Sequence, residues 1–247
     1  IIMTVIFWSC SFIGIPLFVY YATGPQWAVG LILYYFYTDW LLSATLHHAH
    51  SHKDWEPPTW WTRACLYLSA ALVHGTPLTW SAWHRYHHRT SETPDDPHSP
   101  RYDSFFWIVF CVYWHKYDLR TSPDWLRNRE VVWVSLHQGK ISLVATLLML
   151  WILPFDWFLA AWAMPLALSN ISSSIGHAII GHWGAFWNDR GGDNTLRDSL
   201  WIFPFAFSGY RHKTHHTTMG MPAGRLAIST HILKWLAPNR IRKLVDE

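Results

Sequence analysis

The sequence predicts an all-α integral membrane protein with four transmembrane helices in two hairpins, a cytoplasmic histidine-rich cap and helices lying in the membrane interface. Three observations support this fold class. Hydrophobic residues make up 51% of the chain and charged residues only 14%, whereas soluble globular domains carry about 25% charged residues. Several apolar runs approach the length that crosses about 30 Å of hydrocarbon as a helix. The 19 tryptophans also suit a membrane protein, because tryptophan is enriched at the membrane–water interface.

The apolar runs define the four expected spans. They cover approximately residues 1–21, 27–46, 137–154 and 157–180. The turns within the two hairpins, at 22–26 and around Pro154-Phe155-Asp156, contain no Lys or Arg, as expected of external loops. We expect residues 1–247 to form a single domain around these helices.

The positions of the basic residues predict the orientation in the membrane. All 19 Lys and Arg residues lie outside 1–52 and 141–189. Under the positive-inside rule, the segments 47–136 and 181–247 are therefore cytoplasmic, together with both chain termini. Basic residues do not concentrate on one element with base-reading motifs, so nucleic-acid binding is not supported.

Three shorter segments outside the spans are expected at the membrane surface or in the cap. Residues 63–78 are apolar but interrupted near their end by glycine and proline, which favours an interfacial helix over a further span. Residues 104–114 are too few to cross a bilayer. Residues 228–244 are predicted to form a basic amphipathic helix on the membrane surface, with Trp235 as an anchor.

Three clusters of histidine lie on the predicted cytoplasmic side. They are His47 with His52, then His84, His87 and His88, and finally His212, His215 and His216. Positions i, i+3 and i+4 share one helix face, so each of the last two clusters can direct its imidazoles to one spot. Neutral imidazole is the commonest protein metal ligand, and eight or nine exceed the needs of one ion. The clusters predict a two-metal site, and nitrogen ligands without thiolates suit iron, copper, nickel or zinc.

The first cluster differs from the other two in its spacing. His47 and His52 are five residues apart, which is about 140° around an ideal α-helix. We therefore expect the second span to fray or bend near Ala49. Asp39 lies eight residues before His47, and an acidic residue inside a predicted span is a candidate hydrogen-bond partner for a ligand histidine. Helix capping or an interhelical hydrogen bond is the alternative role for Asp39.

The residues flanking the clusters carry a family resemblance. Ser51-His52-Lys53 and residues 87–98, His-His-Arg-Thr-Ser-Glu-Thr-Pro-Asp-Asp-Pro-His, are similar to the Ser-His-Arg and HHKxSETxxDPH motifs of the membrane fatty acyl desaturases. Residues 209–216 resemble that family's GEGxHNxHH motif. The likeness is to the delta-nine type, which includes stearoyl-CoA desaturases and bacterial acyl-lipid desaturases. It covers most of the chain from the second span onward.

The resemblance implies that nine histidines bind two iron ions. Eight carry over directly: His47, His52, His84, His87, His88, His212, His215 and His216. The ninth belongs to an Asn-Ser-x-x-His motif in the fourth span, from which this chain departs. His182 fits the distance to the third cluster and His177 fits the small polar residues before it, so we favour His182 and keep His177 as an alternative or additional ligand. The family's asparagine is a water-mediated metal contact, and Asn170, seven residues before His177, is the candidate for it.

The resemblance also implies a reaction, the oxygen-dependent dehydrogenation of an acyl chain carried by CoA or by a lipid. Two reduced irons would activate dioxygen, the co-substrate, and leave a cis double bond. The chain has no flavin-, haem- or iron–sulfur-binding motif. We therefore expect an external electron donor, a ferredoxin or a small cytochrome, to dock on the basic cytoplasmic surface. Zinc is expected to compete for the histidines in purified samples.

Two rival interpretations remain at this point. Lipid hydroxylases, alkane hydroxylases and carotenoid oxygenases are membrane di-iron enzymes with similar histidine clusters, and the flank at residues 91–98 favours desaturation over them. A metal transporter is the second rival. Transport sites usually lie near the bilayer midplane at broken helices, whereas these clusters are expected beyond the span ends on one side.

Overall fold

The computed structural model describes residues 1–183, 196, 198–207, 211–218, 220–223 and 225–245, and these residues are mostly helical. In chain order the helices are α1 (Ile2–Tyr21), α2 (24–52), α3 (Thr59–Ala71), α4 (Pro77–Thr90), α5 (Phe105–Phe110), α6 (Pro123–Leu126), α7 (Arg129–Ile152), α8 (Phe155–Ile180), α9 (Phe203–Ala206), α10 (His212–Thr217) and α11 (Ile228–Leu236). Single 3₁₀ turns lie at Val112–Trp114, Leu119–Thr121, Leu200–Ile202 and Pro238–Arg240. Residues 209 and 210, which begin the motif of the third cluster, lie outside the described residues.

Helices α1, α7 and α8 are long and apolar enough to cross a membrane. They coincide with the first, third and fourth predicted spans. Helix α7 begins earlier than predicted because Asn128 caps it, accepting hydrogen bonds from the backbone N–H groups of Glu130 and Val131. An asparagine at this position satisfies N–H groups that have no partner within the helix.

Helix α2 contains the predicted second span but continues beyond it to His52. It is α-helical over Gly24–Tyr35 and π-helical over Phe36–His52. A capping box between Thr23 and Gln26 starts it. Among the described residues, length and apolarity single out only α1, α7 and α8 as spans. A fourth span through α2, and the hairpin layout, therefore stay predictions.

Helices α1, α2 and α8 share an apolar core. Phe7 and Phe18 of α1, Leu41 of α2 and Leu166 of α8 are almost completely buried in it. The contacts between α2 and α8 establish that they run in the same direction. Gln26 donates a hydrogen bond to Asp156 near their N-termini, and the rings of His47 and His177 lie 5.9 Å apart near their C-termini. Both helices consequently deliver histidines to the same end of the bundle.

The predicted interfacial helix at 63–78 is in fact two helices. Helix α3 ends at Ala71, and α4 begins at Pro77. The hydroxyl of Thr76 accepts a hydrogen bond from the backbone N–H of Thr79 at 3.3 Å and so caps α4. Proline in the first turn of α4 favours a new helix start, because that position needs no N–H donor.

The C-terminal amphipathic helix is shorter than the predicted 228–244, because α11 ends at Leu236. Pro238 follows two residues later and cannot continue a helix. The chain then forms β2 (Leu244–Val245), which pairs in parallel with β1 (Met221–Pro222). This small sheet and an isolated bridge between Trp55 and Ile241 are the β structure found among the described residues.

Arg85 of α4 connects the second histidine cluster to the first. Its guanidinium donates hydrogen bonds to the carbonyls of His50, at 3.1 Å, and Ser51, at 2.8 Å, at the end of α2. It also forms an ion pair with Asp124 of α6 at 2.7 Å. Because the last carbonyls of a helix have no partner within it, Arg85 caps α2 while holding α4 against it.

Replacing Arg85 with alanine is expected to lower the free energy of unfolding by about 2 kcal/mol, since hydrogen bonds to charged groups contribute about 1.5–3 kcal/mol. Thermal unfolding in detergent micelles measures the change. Arg120→Ala is the control, because the Arg120 side chain is 88% exposed in its ion pair with Asp118 and such pairs contribute little. Equal stability of the two variants would contradict the assigned role of Arg85.

Candidate metal centre

Five histidines converge where α2, α4 and α10 meet. The ring nitrogens of His47, His52, His84, His88 and His215 lie within 4.8 Å of one another, and we call these residues the five-histidine group. Nε2 of His47 lies 2.8 Å from Nε2 of His215, and Nε2 of His52 lies 2.8 Å from Nε2 of His84. Nitrogens bound to one ion at about 2.0–2.1 Å are roughly 3 Å apart, so the spacing fits a common ion.

A second group forms beside the first. The ring nitrogens of His87, His182, His212 and His216 also lie within 4.8 Å of one another, and we call them the four-histidine group. Nε2 of His182 lies 2.8 Å from Nε2 of His212, and Nε2 of His87 lies 3.3 Å from Nε2 of His216. Together the groups contain all nine histidines favoured as ligands. Their binding of metal stays a prediction.

The nitrogen–nitrogen contacts within the five-histidine group cannot all be hydrogen bonds. Nε2 of His88 faces Nε2 of His84 at 3.0 Å and Nε2 of His215 at 3.1 Å. A neutral imidazole nitrogen carries either one proton or one lone pair, so Nε2 of His88 can complete a hydrogen bond with only one of them. A cation in the centre would accept all the lone pairs at once. The arrangement therefore fits a metal ion better than a hydrogen-bond network.

The π-helical part of α2 brings His47 and His52 to the same side. In a helix with i→i+5 hydrogen bonds, residues five apart lie roughly one turn apart, and the two ring centroids are 5.0 Å apart. The prediction that this helix frays near Ala49 is wrong, whereas a bend there stays a prediction. The helix widens and continues, and Ala49 remains buried.

Helices α4 and α10 each divide their cluster between the two groups. On α4, His84 and His88 belong to the five-histidine group and His87 to the four-histidine group; on α10, His212 and His216 lie in the four-histidine group and His215 in the other. Positions i and i+4 differ by about 40° around an α-helix, whereas i+3 lies about 100° from i+4. This angular difference directs the first and last histidines of a cluster to one histidine group and the middle one to the other.

His182 reaches the four-histidine group from the turn that follows α8. Gly181 makes this approach possible, because a Cβ there would lie 2.5 Å from the ring of His212 and 2.4 Å from the carbonyl oxygen of His177. Real Cβ atoms do not approach other atoms so closely. A glycine at this position lets the two histidine-bearing segments pack directly against each other.

Two buried carboxylates hold histidines of the four-histidine group. Nδ1 of His182 donates a hydrogen bond to Glu92 at 2.6 Å, and Nδ1 of His87 donates one to Asp96 at 2.8 Å. Because Nδ1 carries the proton in both rings, each Nε2 presents a lone pair to the group. Histidines that bind metals commonly donate their other ring N–H to a carboxylate or carbonyl in this way.

The loop at 91–98 is shaped around these carboxylates. Glu92 has a φ of 59°, a left-handed conformation that is costly for a residue with a side chain. Its backbone N–H donates to Asp96 at 2.9 Å, and its own carboxylate accepts a hydrogen bond from Ser99. The backbone strain therefore accompanies a network that fixes both carboxylates beside their histidines.

Burial sets the protonation states at the centre. It lowers the pKa of His84, His212 and His215 well below the ordinary histidine value, and neighbouring imidazoles lower these pKa values further. Burial alone would raise the pKa of Asp96, but His87 beside it brings the net pKa below the usual value. At neutral pH these three rings are neutral and Asp96 is ionised, as nitrogen ligation with carboxylate support requires.

The remaining candidates have other contacts. Asp39 accepts a hydrogen bond from the hydroxyl of Tyr35 at 3.0 Å. The amide nitrogen of Asn170 donates to the carbonyls of Leu166, at 2.8 Å, and Leu72, at 3.4 Å. His177 lies outside both groups. A partnership of Asp39 or Asn170 with the metal centre stays a prediction.

A cavity of about 200 Å³ adjoins both histidine groups. Histidines of the two groups form part of its wall, and apolar side chains of α1, α2 and α5 form another part. These apolar residues include Met3, Leu42 and Ile108. The cavity thus brings a hydrophobic compartment of the helical bundle up to the candidate metal centre.

Comparison with known proteins places this chain in a family. The sequence model of the fatty acid desaturase family matches residues 23–244. The chain is 25% identical over 231 residues to delta-9 acyl-lipid desaturase 1 of Arabidopsis thaliana, which covers 87% of this chain and 73% of that protein. It is also 25% identical over 224 residues to the sn-2 palmitoyl-lipid 9-desaturase of Nostoc sp. (strain 36), with coverage of 85% and 71%. The chain belongs to the fatty acid desaturase family.

The family assignment confirms the resemblance to delta-nine desaturases and identifies the enzyme class. This desaturase is a membrane-associated oxidoreductase that acts on fatty acyl chains. Its histidine groups fit the iron-type centre expected of such an enzyme. The assignment also removes the main reason for considering a metal transporter.

Sequence reasoning did not assign roles to three residues of the desaturase site. Glu92, Asp96 and His98 appeared only as parts of a matching motif. His98 packs against His87 with ring centroids 3.9 Å apart and, together with Asp96, places its side-chain atoms within 4.8 Å of His87. The sequence feature that could have identified them is the acidic, proline-containing segment directly after the second histidine cluster.

Replacing Glu92 with glutamine is expected to weaken metal binding by the four-histidine group about 10- to 100-fold, the usual effect of removing a partner of a metal ligand. The measured quantity is metal bound per chain during titration of the purified desaturase. Asp54→Asn is the matched control, because Asp54 holds His48 at 2.8 Å in the same manner, while His48 lies outside both groups. Equal metal affinities in the two variants would contradict the role assigned to Glu92.

Proposed function

We propose that this desaturase introduces a cis double bond into an acyl chain of a membrane lipid, at two iron ions bound by the five- and four-histidine groups. One observation carries the proposal. The cavity beside the groups has histidines of both in its wall and hydrophobic side chains from the helical bundle elsewhere. An acyl chain lying in this cavity would have its methylenes next to the candidate metal centre.

The residues of the chain would position and protect the substrate. Apolar side chains such as Leu42 and Ile108 favour a hydrocarbon and exclude water, which keeps the reaction dry. The fixed helices hold the chain in one orientation, and orientation of this kind removes much of the entropic barrier. Iron, when bound, supplies the oxygen-dependent chemistry that removes hydrogen from the acyl chain. Glu92 and Asp96 keep two of the histidines in the tautomer that ligation requires.

The relatives support a lipid rather than CoA as the acyl carrier. Two of them are described as delta-9 acyl-lipid desaturases and one as an sn-2 palmitoyl-lipid 9-desaturase. We therefore propose an acyl-lipid substrate and the ninth position for the new bond. Acyl-CoA is the alternative carrier that the product analysis below separates.

We further propose that the protein crosses the membrane four times, with α2 as the fourth span and the histidine groups on the cytoplasmic side. The parallel course of α2 and α8 supports this topology, because the second and fourth spans of two successive hairpins point the same way. The absence of Lys and Arg from 1–52 and 141–189 supports the orientation through the positive-inside rule.

Electrons are proposed to come from an acidic ferredoxin or a small cytochrome. Lys213, Arg225, Arg240 and Lys243 are exposed in the C-terminal segment that also carries the third histidine cluster. A basic surface of this kind attracts an acidic partner and accelerates its association.

Expression of the desaturase in a host of known lipid composition, with a ferredoxin supplied, is expected to produce a cis-Δ9 fatty acid in the membrane lipids. His87→Ala should reduce this product at least about 100-fold, since it removes a ligand rather than a partner of one. His137→Ala is the control, because His137 donates to the carbonyl of Trp133 and lies outside both groups. Fatty-acid analysis by mass spectrometry, separately for lipid and CoA fractions, measures the product.

Two results would contradict this assignment. A hydroxylated acyl chain without a new double bond would favour a hydroxylase. An unchanged lipid profile with adequate electron supply would remove the basis for any desaturase activity on these substrates.

Activity with a reduced ferredoxin is expected to depend on ionic strength. Raising the salt concentration from about 0.01 M to 1 M shortens the Debye length from about 30 Å to about 3 Å. The KM for ferredoxin should then rise about tenfold, while kcat changes little. Steady-state kinetics with an uncharged chemical reductant as control measures the effect. A KM that is independent of salt would contradict electrostatic docking.

A further inference from the structure

The two histidine groups differ in what holds their rings. Within the four-histidine group, His87 and His182 each donate Nδ1–H to a carboxylate. Within the five-histidine group, Nδ1 of His47 and Nδ1 of His215 are buried and have no hydrogen-bond partner among the described residues. If Nε2 of each ring binds an ion, then Nδ1 carries a proton that needs an acceptor.

His177 has the complementary property. Nδ1 of His177 contacts the carbonyl oxygen of Ser173 at 3.2 Å and the hydroxyl oxygen of the same residue at 3.4 Å. The carbonyl contact is the shorter one, and since a carbonyl only accepts, we assign the proton to Nδ1. Nε2 of His177 therefore has a lone pair, and this atom is buried without a partner among the described residues. The ring centroid of His177 lies 5.9 Å from that of His47, so the two rings are neighbours.

A small cavity lies among these rings. Its volume is about 20 Å³, and its wall includes His47, His177 and His215. A cavity needs roughly 10–15 Å³ of this kind of volume to hold one water molecule, which also requires two to four polar partners. Two N–H donors and one lone-pair acceptor supply three such partners.

We propose that a buried water molecule occupies this cavity and that His177 positions two histidines of the five-histidine group through it. The water accepts hydrogen bonds from Nδ1–H of His47 and Nδ1–H of His215, and it donates one to Nε2 of His177. The hydrogen bond from Nδ1 of His177 to the carbonyl of Ser173 in turn fixes the His177 ring to the backbone of α8. His177 thus fixes the orientation of two rings in the five-histidine group, as Glu92 and Asp96 fix two rings in the four-histidine group. It does not bind metal itself.

This inference rests on the proposed metal centre, and a cobalt titration tests both separately. Cobalt(II) is added to metal-free protein in detergent, and bound metal and the visible d–d spectrum are followed. The unaltered protein is expected to bind two ions. Glu92→Gln identifies which binding step belongs to the four-histidine group. If the unaltered protein binds no cobalt at these histidines, the metal centre itself is overturned and this inference with it.

His177→Phe is expected to raise the dissociation constant of the other step about tenfold and to shift its visible bands, with two ions still bound at saturation. His177→Gln keeps a hydrogen-bond acceptor and should stay within about twofold of the unaltered protein. His74→Phe is the matched control, because His74 is also buried with one bonded and one unpartnered ring nitrogen but lies outside both groups. It should leave both steps unchanged.

Three results would overturn the role of His177. Loss of one ion in His177→Phe would make His177 a direct ligand. If His177→Phe weakened the same binding step as Glu92→Gln, His177 would support the four-histidine group and not the five-histidine group. Unchanged binding and spectra in His177→Phe would leave it a purely structural residue. Should the phenylalanine variant fail to fold, His177→Leu provides the second variant without an acceptor.

Discussion

Each neutral imidazole has one N–H and one lone pair, and this limit governs the architecture of the candidate site. Under the proposed metal centre, nine rings directed at two points need a cation inside each group and a hydrogen-bond acceptor outside each ring. Glu92 and Asp96 meet the outer requirement for two rings of the four-histidine group. Three parts of the chain meet this requirement together. The histidine clusters supply the rings, the acidic loop at 91–98 supplies acceptors, and the approach of α10 to α8 brings the rings into one place.

Three irregular features of the chain lie beside the histidine groups. Helix α2 is π-helical where it carries histidines, Glu92 has a left-handed backbone, and Gly181 admits the ring of His212. Each feature is less favourable than its regular counterpart. All three bring histidine rings or their hydrogen-bond partners into place, so here the positions of the ring nitrogens outweigh regular backbone geometry.

The helical bundle brings the histidines to one end and provides a hydrophobic cavity beside them. Because α2 and α8 run parallel, histidines near both C-termini meet at one end of the bundle. The adjoining cavity extends from these histidines to hydrophobic residues of the bundle. The helices that carry the candidate ligand histidines therefore also line a hydrophobic cavity, and the reaction of a fatty acid desaturase requires this combination.

The sequence by itself determined the helical membrane-type fold, three of the spans and the histidines that would gather, because these follow from local periodicity and composition. It also determined the family, since the flanks of His52, His87 and His88 are specific. Only the tertiary structure decided how the histidines divide into five and four, and that α2 widens where fraying was expected. The same holds for the hydrogen bonds of Glu92 and Asp96 to their histidines and for the position of His177 beside His47. These features depend on angles and contacts between segments up to 168 residues apart, as for His47 and His215, and local patterns carry no information about such distances.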